Sequence, residues 1–171
     1  MIMPRGQQLL LPANSGFIAL SLLAGLVLNM LPLGWVPWAP DVLLVLLAFW
    51  GIHQPERVGI GIAFLLGLFM DVHQSSLLGQ HALAYAMLIF GTRVGRRRLL
   101  WFQSWWQAPQ MFGLFASVHL LQLLIRWVSG GQSGIEVAFA PLLEALLWPL
   151  VSWLLFLPQR RTPNKDANRP L

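Results

Sequence analysis

The basic residues of this chain fall between long apolar runs in a one-sided pattern. Eleven Lys and Arg residues occur among 171. If the apolar runs cross a membrane six times, all of them except Arg126 lie on one side. Basic connections between spans are retained in the cytoplasm during insertion, so the pattern predicts six transmembrane helices with both termini in the cytoplasm. The residues predicted on that side are Arg5, Arg57, Arg93, Arg96, Arg97, Arg98, Arg160, Arg161, Lys165 and Arg169.

The composition favours an all-α integral membrane protein. The chain is 57% hydrophobic and 10% charged, whereas about 25% of the residues in soluble domains are charged. We predict one membrane domain over residues 1–157 and a disordered basic cytoplasmic tail over 158–171. The net charge of +5 lies at the ends of the predicted spans, where topology and attraction to anionic lipid explain it. No nucleic-acid partner is therefore predicted.

The second predicted span is unusually short. Residues 41–53 would reach about 20 Å as a helix, less than the ~30 Å of the hydrocarbon core. Either its Pro-rich lead-in enters the bilayer or the protein thins the membrane. The other five spans are predicted at residues 16–33, 58–72, 77–94, 108–128 and 136–157.

A basic and aromatic segment separates the fourth and fifth spans. Arg96, Arg97 and Arg98 are predicted to end span 4, and the following residues 99–107 are predicted to lie in the inner membrane interface. Tryptophan prefers the headgroup region. A membrane anchor is favoured, and binding of anionic lipid or of a cytoplasmic partner remains open. The tryptophans concerned are Trp101, Trp105 and Trp106.

Two titratable residues lie deep in predicted neighbouring spans. A charge in hydrocarbon costs about 2.5–3.5 kcal/mol even on lenient scales, so Glu144 on span 6 needs a partner. His119 lies on antiparallel span 5 at a similar depth, and the two are predicted to form a buried polar pair. A structural hydrogen bond is favoured over a proton-responsive element or a polar pocket. Arg126 and Glu136 are predicted to make a modest contact nearer the outer surface.

Asp71, His73 and His81 are potential metal ligands near the outer end of spans 3 and 4. They lack a compact ligand spacing such as HExxH, and no metal site is predicted. Asp71 is instead interpreted as a cap or bridge between the two spans, with Ser75 or Ser76 capping the following helix.

Other chemical signatures are missing from the sequence. It contains no nucleophile elbow, Walker loop or dinucleotide fingerprint, so neither catalytic residues nor a cofactor are predicted. Asp41 is predicted to start span 2, where a carboxylate favours the positive helix terminus. Gly59 and Gly67 share one face of span 3, and we expect that face to pack closely on another helix.

The order and spacing of motifs between residues 40 and 83 resemble the bacterial rod shape-determining MreD family. Leu147-Trp148-Pro149 near the end of the chain also fits that family. The matching features are Pro40-Asp41, Trp50, Pro55-x-Arg57, Gly59-x-Gly61, Gly67-x-x-x-Asp71, Leu78-Gly79 and Ala82-Leu83.

The resemblance implies a non-catalytic inner-membrane scaffold of the cell-elongation complex. Its principal partner would be MreC, and MreB, RodZ, RodA and the transpeptidase that works with RodA would belong to the same complex. The family's six-helix fold is thought similar to the substrate-binding component of energy-coupling-factor transporters. This similarity supplies the alternative function, a vitamin-type transporter component, whose ligand contacts would be Asp71, His73, His81, His119 and Glu144.

Overall fold

The computed structural model describes residues 13–31, 39–130 and 139–159, and within these ranges the chain forms six α-helices and no strand. The N-terminal lead-in, residues 32–38, Glu136 and the chain after Gln159 lie outside the described residues, as do the predictions made for them. The helices are α1 Ser15–Met30, α2 Val42–His53, α3 Ile60–His73, α4 Gln80–Leu100, α5 Ser104–Val128 and α6 Ala140–Phe156, followed by a 3₁₀ turn at Leu157–Gln159.

Helix α2 lies at the centre of the bundle and packs against α1, α4 and α6. All of its residues from Leu43 to Ile52 are buried. The predicted short second helix is confirmed, because twelve residues reach only about 18 Å. The burial of α2 by its neighbours explains its short length, and this explanation was not predicted from the sequence. A helix surrounded by protein ends against protein groups and does not have to reach the membrane surface.

The other helices follow one another around α2. Helix α3 packs mainly on α4, α4 also packs on α5, and α5 packs on α6. The outward faces of these helices are apolar, as Leu20, Phe69 and Leu146 illustrate, each being about two-thirds exposed. The buried core lies between α2 and the inward faces of its neighbours.

Glycines bring the helices of this bundle close together. A Cβ atom added at any of four glycines would lie closer than 3.0 Å to an atom of a facing helix. In a membrane, small residues allow the close backbone approach on which helix packing depends. The four glycines are Gly25 between α1 and α2, Gly51 between α2 and α4, Gly67 between α3 and α4, and Gly91 between α4 and α5.

Spans 4 and 5 were predicted to end at residue 94 and to begin at residue 108, whereas the helices extend further into the arginine and tryptophan segment between them. Helix α4 continues through the arginine run to Leu100, and α5 begins at Ser104, so Trp105 and Trp106 are helical and only residues 101–103 separate the helices. Arginine is a good helix former and a cation suits the last helical turn.

We predict that Gly67→Ala destabilises the chain, whereas Gly61→Ala does not. A Cβ at Gly67 would meet backbone atoms of Ala82, which cannot rotate away, while a Cβ at Gly61 meets nothing within 4 Å. Overpacking of this kind costs about 1–3 kcal/mol. Thermal unfolding of the purified variants in detergent measures the difference, and equal melting temperatures would contradict the packing described.

Candidate functional site

Buried and partly buried polar side chains form two networks at one end of the bundle. We call the first the Asp41 network, which consists of Asn29, Asp41, Tyr85, His119 and Glu144. The second, the Asp71 network, consists of Asp71, Ser76, His81 and the backbone N–H groups of Gly79 and Ala82. The ring centroids of His81 and Tyr85 are 6.1 Å apart in an edge-to-face contact, so the two networks adjoin.

Asp41 joins three helices. It is the N-cap of α2, and its Oδ1 accepts a hydrogen bond from the N–H of Leu44 at 2.9 Å. The same oxygen accepts from the amide of Asn29 on α1, and Oδ2 accepts from the hydroxyl of Tyr85 on α4. Asn29 also accepts from the N–H of Val42 at 3.1 Å. Aspartate is favoured here because it satisfies otherwise unpaired donors of the first helical turn.

Glu144 connects α5 and α6 to the same point. Its Oε1 lies 2.8 Å from Nε2 of His119 and accepts the backbone N–H of Asp41 at 3.1 Å. Glu144 has no exposed surface and His119 is 8% exposed. The structure therefore brings together the pair predicted from the sequence and adds Asp41 to it. The Asp41 network as a whole joins five of the six described helices.

Asp71 on α3 binds the beginning of α4. Its Oδ2 accepts the N–H of Gly79 at 2.8 Å and that of Ala82 at 3.3 Å, while Oδ1 accepts the N–H of His81 at 2.8 Å. Oδ1 also lies 2.8 Å from Nδ1 of His81 and accepts from Ser76 at 2.9 Å. Each carboxylate oxygen thus binds two or more donors, and the side chain of one helix caps the next.

The expectation that Ser75 or Ser76 caps α4 was wrong. The N-cap is Gly79, which has a φ of 101° and makes no side-chain cap bond. This left-handed conformation favours glycine, and the N–H of Gly79 donates to Asp71. Among the described residues, no group of three or more His, Asp or Glu side chains is arranged to hold a metal ion. His73 is exposed and outside both networks.

At the opposite end, two positions that carried the family resemblance contact α1. The guanidinium of Arg57 donates to the carbonyl of Ala13 at 2.8 Å and to the hydroxyl of Ser15 at 2.6 Å. The indole of the buried Trp50 donates to Ser21 at 2.8 Å. Arg57 therefore binds the turn after α2 to the start of α1, and Trp50, in the last turn of α2, binds the middle of α1.

Helix α4 holds both ends of α2. Tyr85 donates to Asp41 at one end, and Nε of Arg96 donates to the carbonyl of Ile52 at 2.8 Å at the other. The two contacts are eleven residues apart on both helices, from Asp41 to Ile52 along α2 (52 − 41) and from Tyr85 to Arg96 along α4 (96 − 85). Two parallel helices with the same rise per residue therefore match at both contacts, and sliding by one turn would break both.

The neighbouring turn is fixed by the same helix. Arg93 donates to the carbonyl of Pro55 at 2.8 Å. Gly59 is the N-cap of α3, and a Cβ there would lie 3.6 Å from the guanidinium of Arg93. Pro40 immediately precedes the Asp41 cap. The remaining predicted surface residues are exposed, namely Arg97, Arg98, Trp101, Trp105 and Trp106.

The sequence did not single out Asn29, Tyr85 or Gln107. Gln107 is buried, and its amide donates to the carbonyls of Leu99 at 2.9 Å and Phe102 at 2.8 Å. Its oxygen accepts from the indole of Trp148 at 3.0 Å, so this side chain fixes the connection between α4 and α5 to α6. One sequence signal could have identified these three residues, since each is an uncharged polar residue in an apolar stretch. Such a group needs a hydrogen-bond partner when it is buried.

We predict that Glu144→Gln is tolerated better than Glu144→Leu. The glutamine oxygen can still accept from His119 and Asp41, although its amide would replace Oε2, which has no hydrogen-bond partner among the described residues, so we expect a loss that is smaller than with leucine. Leucine leaves a buried group of His119 and the partly buried N–H of Asp41 without this partner, and an unpaired buried group costs about 1–3 kcal/mol. Thermal unfolding in detergent tests this prediction. Equal losses in the two variants would mean that hydrogen bonding is not the role of Glu144.

Comparisons with known proteins agree with the resemblance seen in the sequence. The family model of the rod shape-determining protein MreD matches residues 11–158. The rod shape-determining protein MreD of Haemophilus influenzae is 31% identical over 128 residues, which cover 72% of this chain and 77% of that relative. No solved structure matches the chain. The match to the family model over most of the length, together with this relative, shows that the chain belongs to the MreD family of rod shape-determining proteins.

Proposed function

We propose that this chain is a non-catalytic inner-membrane scaffold of the cell-elongation complex. It binds MreC and helps couple MreB filaments to peptidoglycan synthesis, in a complex that also contains RodZ, RodA and its transpeptidase. The observation that carries the proposal is the family match across residues 11–158. The role of the chain in cell shape follows from its membership of the MreD family, and the proposed partners are inferred from that family.

The use of the buried polar residues supports a scaffold. Asp71, His81, His119 and Glu144 would be ligand contacts in a transporter component, yet each is hydrogen-bonded to a residue of another helix or of the connection before it. Hydrogen bonds between helices specify one arrangement of the bundle, although Oε2 of Glu144 and Nδ1 of His119 have no hydrogen-bond partner among the described residues. A fixed arrangement is what a protein needs when it presents helix flanks and short loops to several partners.

We propose six membrane spans with both termini in the cytoplasm. Trp105–Val128 and Ala140–Gln159 are long and apolar enough to cross a membrane, and Ser15–Met30, Val42–His53 and Ile60–His73 are shorter apolar helices. The contacts of Arg57, Arg93 and Arg96 gather the start of α1, the turn after α2 and the end of α4 at one end of the bundle. This grouping supports the one-sided charge pattern. The predicted similarity to energy-coupling-factor components stays a prediction.

We predict opposite labelling of two single-cysteine variants, Glu56→Cys and Ser129→Cys. The chain has no cysteine of its own, and both positions are exposed. Glu56 lies in the turn after α2 on the proposed cytoplasmic side, and Ser129 follows α5 on the other side. A membrane-impermeant maleimide should label Ser129→Cys in intact spheroplasts and Glu56→Cys only after lysis. Labelling of Glu56→Cys in intact spheroplasts would overturn the proposed orientation.

Affinity purification of the tagged full chain from its native membrane in mild detergent tests the proposed partners. We expect MreC to co-purify, together with other elongation proteins. Gly61→Ala serves as a control variant, because no atom lies within 4 Å of the added Cβ, and it should recover MreC at the wild-type level. Recovery of the ATPases and coupling subunit of a transporter in place of MreC would contradict the scaffold.

A further inference from the structure

The arginines at the end of α4 fall into two groups. Arg93 and Arg96 donate to the backbone carbonyls of Pro55 and Ile52, so they hold the bundle together. Arg97 and Arg98 are exposed, and their guanidinium groups make no hydrogen bond or ion pair to another described residue. Two adjacent cations are thus available to a ligand at this end of the protein.

An exposed apolar strip leads along α4 to these two cations. Phe90 and Val94 are 60% and 72% exposed. Residues three or four apart lie on the same helix face, so Phe90 is followed by Val94, and Val94 by Arg97 and Arg98. Trp101, 91% exposed, continues the strip one turn later. The order along this face is apolar, cationic and aromatic.

The corner that carries this strip is held in place. Gln107 binds the carbonyls of Leu99 and Phe102 on either side of Trp101. Trp105 and Trp106 at the start of α5 are 77% and 71% exposed on the same corner. Tryptophan is enriched where hydrocarbon meets headgroups, which places the corner at the level of lipid phosphates.

We propose that Arg97 and Arg98 form a binding site for one anionic phospholipid. The lipid phosphate binds the two guanidinium groups, and an acyl chain lies along Val94 and Phe90. Arginine pairs well with phosphate because its fork of donors matches the phosphate oxygens. A free phosphate or an acidic protein segment would use the arginines but would leave the apolar strip uncovered, so the strip favours a lipid.

This site goes beyond the scaffold role, and it rests on the membrane placement proposed above. The two ideas fail separately, because maleimide labelling reports orientation, whereas lipid binding to the purified full chain in detergent does not depend on orientation. The expected labelling without lipid binding would mean that the lipid site is wrong. Lipid binding with reversed labelling would mean that the proposed orientation is wrong.

Native mass spectrometry of the purified full chain with added phosphatidylglycerol or phosphatidylethanolamine tests the site. We expect preferential binding of phosphatidylglycerol, about fivefold weaker in Arg97→Gln or Arg98→Gln and about twenty-five-fold weaker in the double variant, since each basic side chain contributes about 1 kcal/mol at an anionic surface. Arg126→Gln removes the same charge at the opposite end and should bind normally. Val94→Gln should weaken binding of the lipid without removing a charge.

Several results would overturn the proposal. They are equal binding of the two lipids, an unchanged double variant, or equal losses in Arg126→Gln and Arg97→Gln. Glycerol phosphate added as a competitor separates the two sources of phosphate. Displacement of the lipid by an equal concentration of glycerol phosphate would indicate a site for a soluble anion. Melting temperatures in zwitterionic detergent should match the wild type, because neither side chain is hydrogen-bonded to another described residue.

Discussion

The carboxylate of Asp41 at the start of α2 is the contact on which the arrangement of the helices depends. Helix α2 is apolar on every side and buried along its length, so packing alone specifies its position along the bundle poorly. The polar groups at its ends supply that position. Asp41 binds α1 and α4 directly, and its own N–H binds Glu144 of α6. In an apolar medium these donors and acceptors have few competing partners.

Polar side chains also fix two of the short connections between helices in the described part of the chain. Asp71 fixes the connection between α3 and α4, and Gln107 fixes that between α4 and α5. The same side chains therefore hold the helices and position the loops. A partner of the kind proposed above would not have to order these two connections, which reduces the entropic cost of binding.

Much of this arrangement could be predicted from the sequence because charges within apolar runs require partners. That reasoning identified the His119–Glu144 pair and the bridging role of Asp71. It did not identify Asn29 or Tyr85, since neutral polar residues are tolerated near helix ends without an obvious partner. The contacts of Arg93 and Arg96 were not predicted, because the carbonyls that bind them come from a distant part of the chain. A glycine in an apolar run likewise does not indicate which atom faces it.

Thermal unfolding of Tyr85→Phe in detergent, paired with the width of cells that depend on the variant, tests the structural role of the network most directly. The substitution removes one hydroxyl, the donor from α4 to Asp41, and keeps the ring. We predict a loss of about 1–3 kcal/mol in the free energy of unfolding, with cell shape restored in proportion to the amount of folded protein. Unchanged stability combined with a complete loss of rod shape would contradict the account.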